Sequence, residues 1–322
     1  VVVEILRPEE LAEVEERLRE GLSSEIPFIS ELGDYLYRTG GKRLRPTLAI
    51  GFYKLLGAQG EREALLEAAT ALELIHLATL VHDDIIDGSP SRRAQPSLWK
   101  LWGNRIAVLQ GDFIFSRAIA ILNRREASLR SIVTDAIGEI LQGELLQEGL
   151  RWRIPTEAEY FAVVERKTAA LFSAACTVGA LLGSPELPEA RLARVRQAGR
   201  RLGIAYQMID DLLDIFGDSR LGKPTWKDWE GGWITLPFIR LLERAAEGSE
   251  ERLRLLLQRE ELTAEDRAEL LRALERDKIR ERLILEGRAL VHEAKQLLAG
   301  WGEPGYEQAL FELMDTIVER ER

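Results

Sequence analysis

Apolar side chains recur at intervals of three and four along most of this chain. Between residues 61 and 80, Leu65, Leu66, Ala69, Leu72, Ile75 and Leu77 follow that spacing. The same pattern covers residues 132–150, 160–182 and 192–215. A period near 3.6 predicts helices, and no stretch alternates as a strand would. Several of these segments are apolar around most of their circumference, which predicts central rather than surface helices. Breaks at Gly40-Gly41, Gly88-Ser89-Pro90, Gly183-Ser184-Pro185 and residues 222–232 are spaced as helix connections. From about residue 240 onward the pattern is more charged and more plainly amphipathic. That predicts outer helices, or alternatively a second helical domain. The fold class expected is all-α, a single large helical bundle over residues 1–322.

Bulk composition narrows the classes. The chain has 322 residues with a formal charge of −10, which argues against a nucleic-acid partner. An acidic protein that handles anions needs locally gathered cations, metal ions, or both. A single cysteine, Cys176, excludes an intrachain disulfide and fits a reducing cytoplasm. It lies in a run of small residues and reads as a buried structural thiol; a catalytic thiol is the alternative. No apolar run is expected to span a bilayer.

Two acidic groups carry candidate chemistry. In His82-Asp83-Asp84-Ile85-Ile86-Asp87, helical spacing puts the carboxylates of Asp83, Asp84 and Asp87 on one face. Asp210-Asp211-Leu212-Leu213-Asp214 repeats the spacing at the end of another apolar helix. One such cluster is weak evidence, since helix ends often turn polar. Two of the same form predict a cation, and Mg²⁺ favours a few carboxylates completed by waters and phosphate oxygens. Basic residues accompany both clusters: the turn Gly40-Gly41-Lys42-Arg43-Leu44-Arg45-Pro46, then Arg92-Arg93, Lys167-Thr168 and Gly222-Lys223-Pro224. Carboxylates and cations gathered together point to a polyanionic diphosphate held with metal help. His76 stands two helical turns before Asp83, on the same face, and joins the ligand-binding candidates.

The stretches GGKRLRP (40–46), LIHLATLVHDDIIDGSPSRR (74–93), GDFIFSRA (111–118), GELLQ (143–147), KTAALF (167–172), YQMIDDLLDIFGD (206–218) and GKP…TLP (222–237) resemble, in this order, the trans-isoprenyl diphosphate synthases. The resemblance implies a prenyltransferase that joins isopentenyl diphosphate to an allylic diphosphate. It implies a cluster of up to three Mg²⁺ ions held by Asp83, Asp84, Asp87, Asp210, Asp211 and Asp214. Arg92, Lys167 and Lys223 would grip the allylic diphosphate, and Lys42, Arg45, His76 and Arg93 that of isopentenyl diphosphate. Thr168 and Gln207 would line the reaction centre. A cytoplasmic homodimer is implied, with a heteromer as the alternative.

Product length would be set before the first aspartate cluster, where short-chain members place Phe or Tyr. Here Ala78 and Thr79 stand, with Ile75 one turn deeper, favouring a medium or long product; a twenty-carbon product is the alternative. The chain departs from the family pattern at Ala94, where Gly is usual, at Trp226 for another Gly, and at Trp233 for a Lys. With Trp229 these make three indoles in eight residues. They raise the alternative of a weakly active or regulatory subunit. A class I terpene cyclase would share the fold and the first acidic motif, but not the paired motifs.

Overall fold

The computed structural model describes residues 8–217, 225–245 and 249–319. Its helices are α1 (Pro8–Leu22), α2 (Pro27–Arg38), α3 (Leu44–Leu55), α4 (Arg62–Ile86), α5 (Leu98–Trp102), α6 (Asn104–Leu122), α7 (Ala127–Gly149) and α8 (Glu157–Val164). After a π-helical turn (Glu165–Ala169) come α9 (Ala170–Gly183), α10 (Glu189–Phe216), α11 (Lys227–Glu230), α12 (Leu236–Arg244) and α13 (Glu250–Leu257). The chain closes with α14 (Ala264–Arg276), α15 (Ile279–Leu298) and α16 (Pro304–Asp315). The expectation of no strand needs one correction. Residues Ser91–Arg92 (β1) and Gln95–Pro96 (β2) form a minimal antiparallel hairpin. Its two-residue loop, Arg93-Ala94, has φ of +51° and +62°, the left-handed pair that a tight hairpin turn demands. Glycine would take this conformation without strain, so Ala94 is a costlier departure than its size suggests.

The described residues gather into two compact units. The first comprises residues 1–137, 171–199 and 295–313, and the second residues 138–170, 200–294 and 314–322. Each is assembled from three separate stretches, and α7 and α10 are each divided between them. The C-terminal segment after residue 240 thus joins earlier helices rather than standing apart.

In the first unit α4 is the core element. Ala68, Ala69, Ala71, Leu72, Leu74, Ile75 and Ala78 have no exposed surface, as all-round apolarity predicted. One expectation is corrected here: α4 has 25 residues, and with an 18-residue window of mean hydropathy 1.6 it is long and apolar enough to cross a membrane. Its most apolar window is 78% buried within the protein, which makes it a core helix. α4 packs against α6 through Gly111, where any side chain would strike the His82 ring. His82 lies 3.2 Å from the Val108 carbonyl and stacks on Phe115, so it clamps these two helices. Cys176 is fully buried, and burial raises its thiol's pKa, as a structural role requires.

Local signals set the helix starts in the second unit. Thr156 and Glu159 exchange hydrogen bonds across the start of α8, and Thr263 and Asp266 do so at α14. Each such cap contributes on the order of 1 kcal/mol.

Candidate active site

Within the first unit the cationic turn, α4 and the hairpin come together. Arg43 caps α3 with φ of +49°, and its guanidinium is buried between Glu15 (2.7 Å) and Glu73 (3.1 Å). This buried pair anchors the turn and leaves its neighbours to bind. Arg45 is buried with its guanidinium 5.0 Å from the centre of the Phe172 ring, while Lys42 is exposed. The place a side chain on Gly41 would occupy is crowded by the guanidiniums of Arg43 and Arg93.

Partly buried His76 feels Arg45, Arg92, Arg93 and Arg43. Desolvation first, and these cations second, push its imidazole well below its ordinary 6.5. A neutral imidazole near these cations suits an anionic ligand. Arg92 donates from Nε to the buried Asp84 at 2.8 Å, tying the hairpin to the first acidic cluster. Asp83 is half-buried, and Asp87 closes the helix as its C-terminal cap residue. The expected members Lys42, Arg45, His76, Arg92, Arg93, Asp83, Asp84 and Asp87 thus all belong to one unit. Ile75 and Ala78 are fully buried on the same helix. Thr79 spends its hydroxyl on the His76 carbonyl at 2.8 Å.

The second unit holds the other acidic cluster. Its π-helical turn carries Lys167 and Thr168, and such turns often mark functional sites because they displace side chains from the regular helical face. Gly143 and Gly203 flank the turn so closely that a Cβ on either would meet its backbone. Lys167 pairs with Glu144 at 2.6 Å and donates to Gln147 at 2.8 Å, which gives the GELLQ stretch its purpose. Thr168 donates to Gln207 Oε1 (2.8 Å), and Gln207 Nε2 donates to Asp211 (2.8 Å). Tyr160 donates its hydroxyl to the other Asp211 oxygen at 2.7 Å.

These carboxylates are under strain. Burial, and then Asp210 and Asp214, push Asp211 up to about 7 against the two donated hydrogen bonds. Asp214 is pushed up to about 6, again chiefly by burial, although it accepts from the backbone N–H groups of Lys227 and Asp228. Asp228 is also raised well above the ordinary range by desolvation and by Asp214, Asp211 and Asp210. Among the described residues, no three acidic, His or Cys side chains lie close enough to hold an ion by themselves. Hard oxygen donors, crowded and desolvated but incomplete as a cage, fit a divalent ion whose remaining positions are filled by diphosphate and water.

Sequence reasoning missed Tyr160, Asp228, Glu144 and Gln147 as members of this network. A Tyr within an otherwise apolar helix was the available signal, since a buried hydroxyl needs a partner. Lys223 lies outside the described residues. The tryptophans are buried: Trp226 packs on Phe238 beneath Arg267, Trp229 meets Trp152 edge-on, and Trp233 lies under Arg151. The indoles therefore fix the loop. Trp226 does so with φ of +66°, keeping the backbone conformation that a glycine would favour.

Residues 26–274 match the family model described as polyprenyl synthetase. The chain is 35% identical to a short chain isoprenyl diphosphate synthase of Methanothermobacter thermautotrophicus, over 99% of both chains. It is 36% identical to heptaprenyl diphosphate synthase component 2 of Geobacillus stearothermophilus, over 73% of each. Among solved structures, a polyprenyl synthase from Caulobacter crescentus complexed with calcium and isoprenyl diphosphate superposes with a TM-score of 0.90. It has 30% sequence identity, covering 98% of this chain and 95% of that one.

Proposed function

Because this chain belongs to the polyprenyl synthetase family, we propose that its acidic, basic and polar candidate residues act on isopentenyl diphosphate and an allylic diphosphate. The chain is an all-α prenyltransferase, an isoprenyl diphosphate synthase. One observation carries the site assignment: buried Asp211 is joined to Thr168 through Gln207, and burial, with Asp210 and Asp214 crowding it, pushes it up to about 7. Crowded carboxylates beside cations suit a metal–diphosphate ligand and little else.

In this reading Asp83, Asp84, Asp87, Asp210, Asp211 and Asp214 hold Mg²⁺ on the allylic diphosphate. Bound divalent ions neutralise the charge that builds on diphosphate as it leaves the allylic carbon. Lys167, steadied by Glu144 and Gln147, together with Arg92 and Lys223, supplies fixed positive charge to the same group. Arg45, Lys42, Arg93 and neutral His76 bind the diphosphate of isopentenyl diphosphate. Thr168 and Gln207 present neutral oxygens beside the allylic cation, which a stronger nucleophile would trap. The isopentenyl double bond forms the new C–C bond, and the released diphosphate takes the departing proton.

Small Ala78 and Thr79 support a product of medium or long chain, with Ile75 as the next obstruction. We also propose that residues 1–322 form a single all-helical prenyl diphosphate synthase domain. The protein works as a cytoplasmic homodimer in this reading. α6 exposes Val108 and Leu109, and α7 exposes Leu141, Leu145 and Leu146, apolar side chains suited to a second copy. A heteromer is the second reading, favoured by the relative named as a component.

Labelled isopentenyl diphosphate, a series of allylic starters and Mg²⁺, followed by product chromatography, tests the activity. Turnover should vanish in EDTA and drop by orders of magnitude in Asp83→Ala and Asp210→Ala. Undiminished turnover in any of the three would remove the two-cluster mechanism.

A further inference from the structure

A groove of about 360 Å³ opens in the second unit, on a side of α10 that the reaction does not use. Its α10 wall is Ile209, Leu212, Leu213 and Phe216, interleaved in sequence with Asp210, Asp211 and Asp214. At 3.6 residues per turn the two sets are centred roughly 150° apart around the helix. The apolar stripe therefore turns its back on the carboxylates. α15 supplies the facing wall through Ile284, and Val318 closes one side.

Arg280, Arg288 and Glu319 are the charged residues among its described lining. Arg280 and Arg288 lie one helical turn before and after Ile284, on the same face of α15. The Arg280 guanidinium rests 5.5 Å from the Phe216 ring centre, an arrangement that leaves edge N–H donors open to an anion. Glu319, also at the rim, repels a negative head group from its side and so favours the arginine end. Gly287 lies at the base. A Cβ there would sit 3.5 Å from Val318 and 3.6 Å from Ile209, ordinary contacts. Glycine is thus not sterically required, and a longer side chain there would run against two of the groove's lining residues.

We propose that this groove is a second ligand site, distinct from the catalytic one, for a phosphate-headed isoprenoid chain. Branched aliphatic walls with two arginines at one rim match an apolar tail and an anionic head. The volume, near the lower end of the ~300–1,000 Å³ usual for small-molecule pockets, suits a short chain. Choosing an isoprenoid over another anionic amphiphile rests on the proposed function, because that reaction supplies such molecules beside this very helix. Binding here needs no metal, since no carboxylate of either acidic cluster lines the groove.

Equilibrium dialysis with radiolabelled farnesyl monophosphate in EDTA tests it on the full-length protein. Saturable binding of one molecule per chain is expected. It should weaken at least tenfold in the Arg280→Glu/Arg288→Glu double variant, and also in Gly287→Leu, which fills the base. Asp210→Ala should bind as the wild type does. Circular dichroism reports folding, and the double variant, being wholly at the surface, serves even where Gly287→Leu does not fold. No saturable binding, unchanged affinity in a folded groove variant, or loss of binding in Asp210→Ala would each overturn the site. Equal displacement by dodecanoate would overturn its isoprenoid identity. Turnover of isopentenyl diphosphate, measured separately on the same preparation, reports the catalytic reading alone, so the two can fail independently.

Discussion

Trp226 sets two opposing energies against each other at the edge of the second acidic cluster. Its backbone lies in the left-handed region, at φ of +66°, which costs a residue with a Cβ about 1–2 kcal/mol. Against that, the indole is 3% exposed, packs 5.6 Å from the Phe238 ring and lies under Arg267. Removing a buried Trp side chain costs about 3–5 kcal/mol. Burial wins, so Trp226→Gly should destabilise by about 2–4 kcal/mol even though it relieves the backbone. Trp226→Ala loses the same burial and keeps the strain. Allowing about 0.5–1 kcal/mol for the extra chain entropy of glycine, the Ala variant should be the less stable of the two by about 1 kcal/mol. That order reverses the ordinary ranking of Ala over Gly. Paired urea titrations followed by far-UV circular dichroism measure it directly. Turnover should fall several-fold in both, because the Trp226 N–H bonds the Asp214 carbonyl at 2.8 Å and the next two N–H groups hold its carboxylate. An Ala variant equal to or more stable than the Gly variant would refute the strain argument. A stabilised Gly variant would refute the burial argument.

Other consequences follow from the first unit. His76, held well below 6.5 in the folded protein, binds fewer protons there than in the unfolded chain. Its contribution to stability is therefore full above about pH 6.5 and is lost as pH falls below it; His76→Gln should flatten the pH dependence of the urea midpoint on that acidic side, and an unchanged slope would contradict the burial of a neutral ring. Lys42→Ala and Arg45→Ala should raise KM for isopentenyl diphosphate more than for the allylic substrate, by about 1.5–3 kcal/mol for each charge-assisted hydrogen bond removed; equal effects on both substrates in steady-state kinetics would deny a dedicated second diphosphate site. Ala78→Tyr should shorten the product toward fifteen or twenty carbons at an overpacking cost of about 1–3 kcal/mol, and Ile75→Ala should lengthen it; unchanged product chromatograms from folded, active Ala78→Tyr would place chain growth elsewhere. Leu145→Glu should dissociate the proposed homodimer in sedimentation velocity; a wild-type profile would remove α7 from the proposed interface.

Much of this was legible in the chain itself. Period and all-round apolarity predicted central helices, and α4 is one, because helix burial depends on a repeat that a linear sequence displays directly. The spacing of Asp83, Asp84 and Asp87, and of Asp210, Asp211 and Asp214, fixed a shared face for the same reason. The short hairpin was missed because two residues per strand are too few for any alternation to register. Gln207 reaches Asp211 within α10, four residues on, but only tertiary structure could show that Tyr160 also serves Asp211, or that Glu144 and Gln147 hold Lys167, since those pairings depend on which helices approach one another. It also decided what each departure from the family pattern does. Nothing local distinguishes an indole exposed to substrate from one packed as an anchor, and burial at 3%, 2% and 9% makes Trp226, Trp229 and Trp233 anchors. The groove beside α10 belongs to the same class: the stripe from Ile209 to Phe216 reads as ordinary core until the space between it and Ile284 of α15 is seen, because only the packing of distant helices decides whether an apolar face is filled.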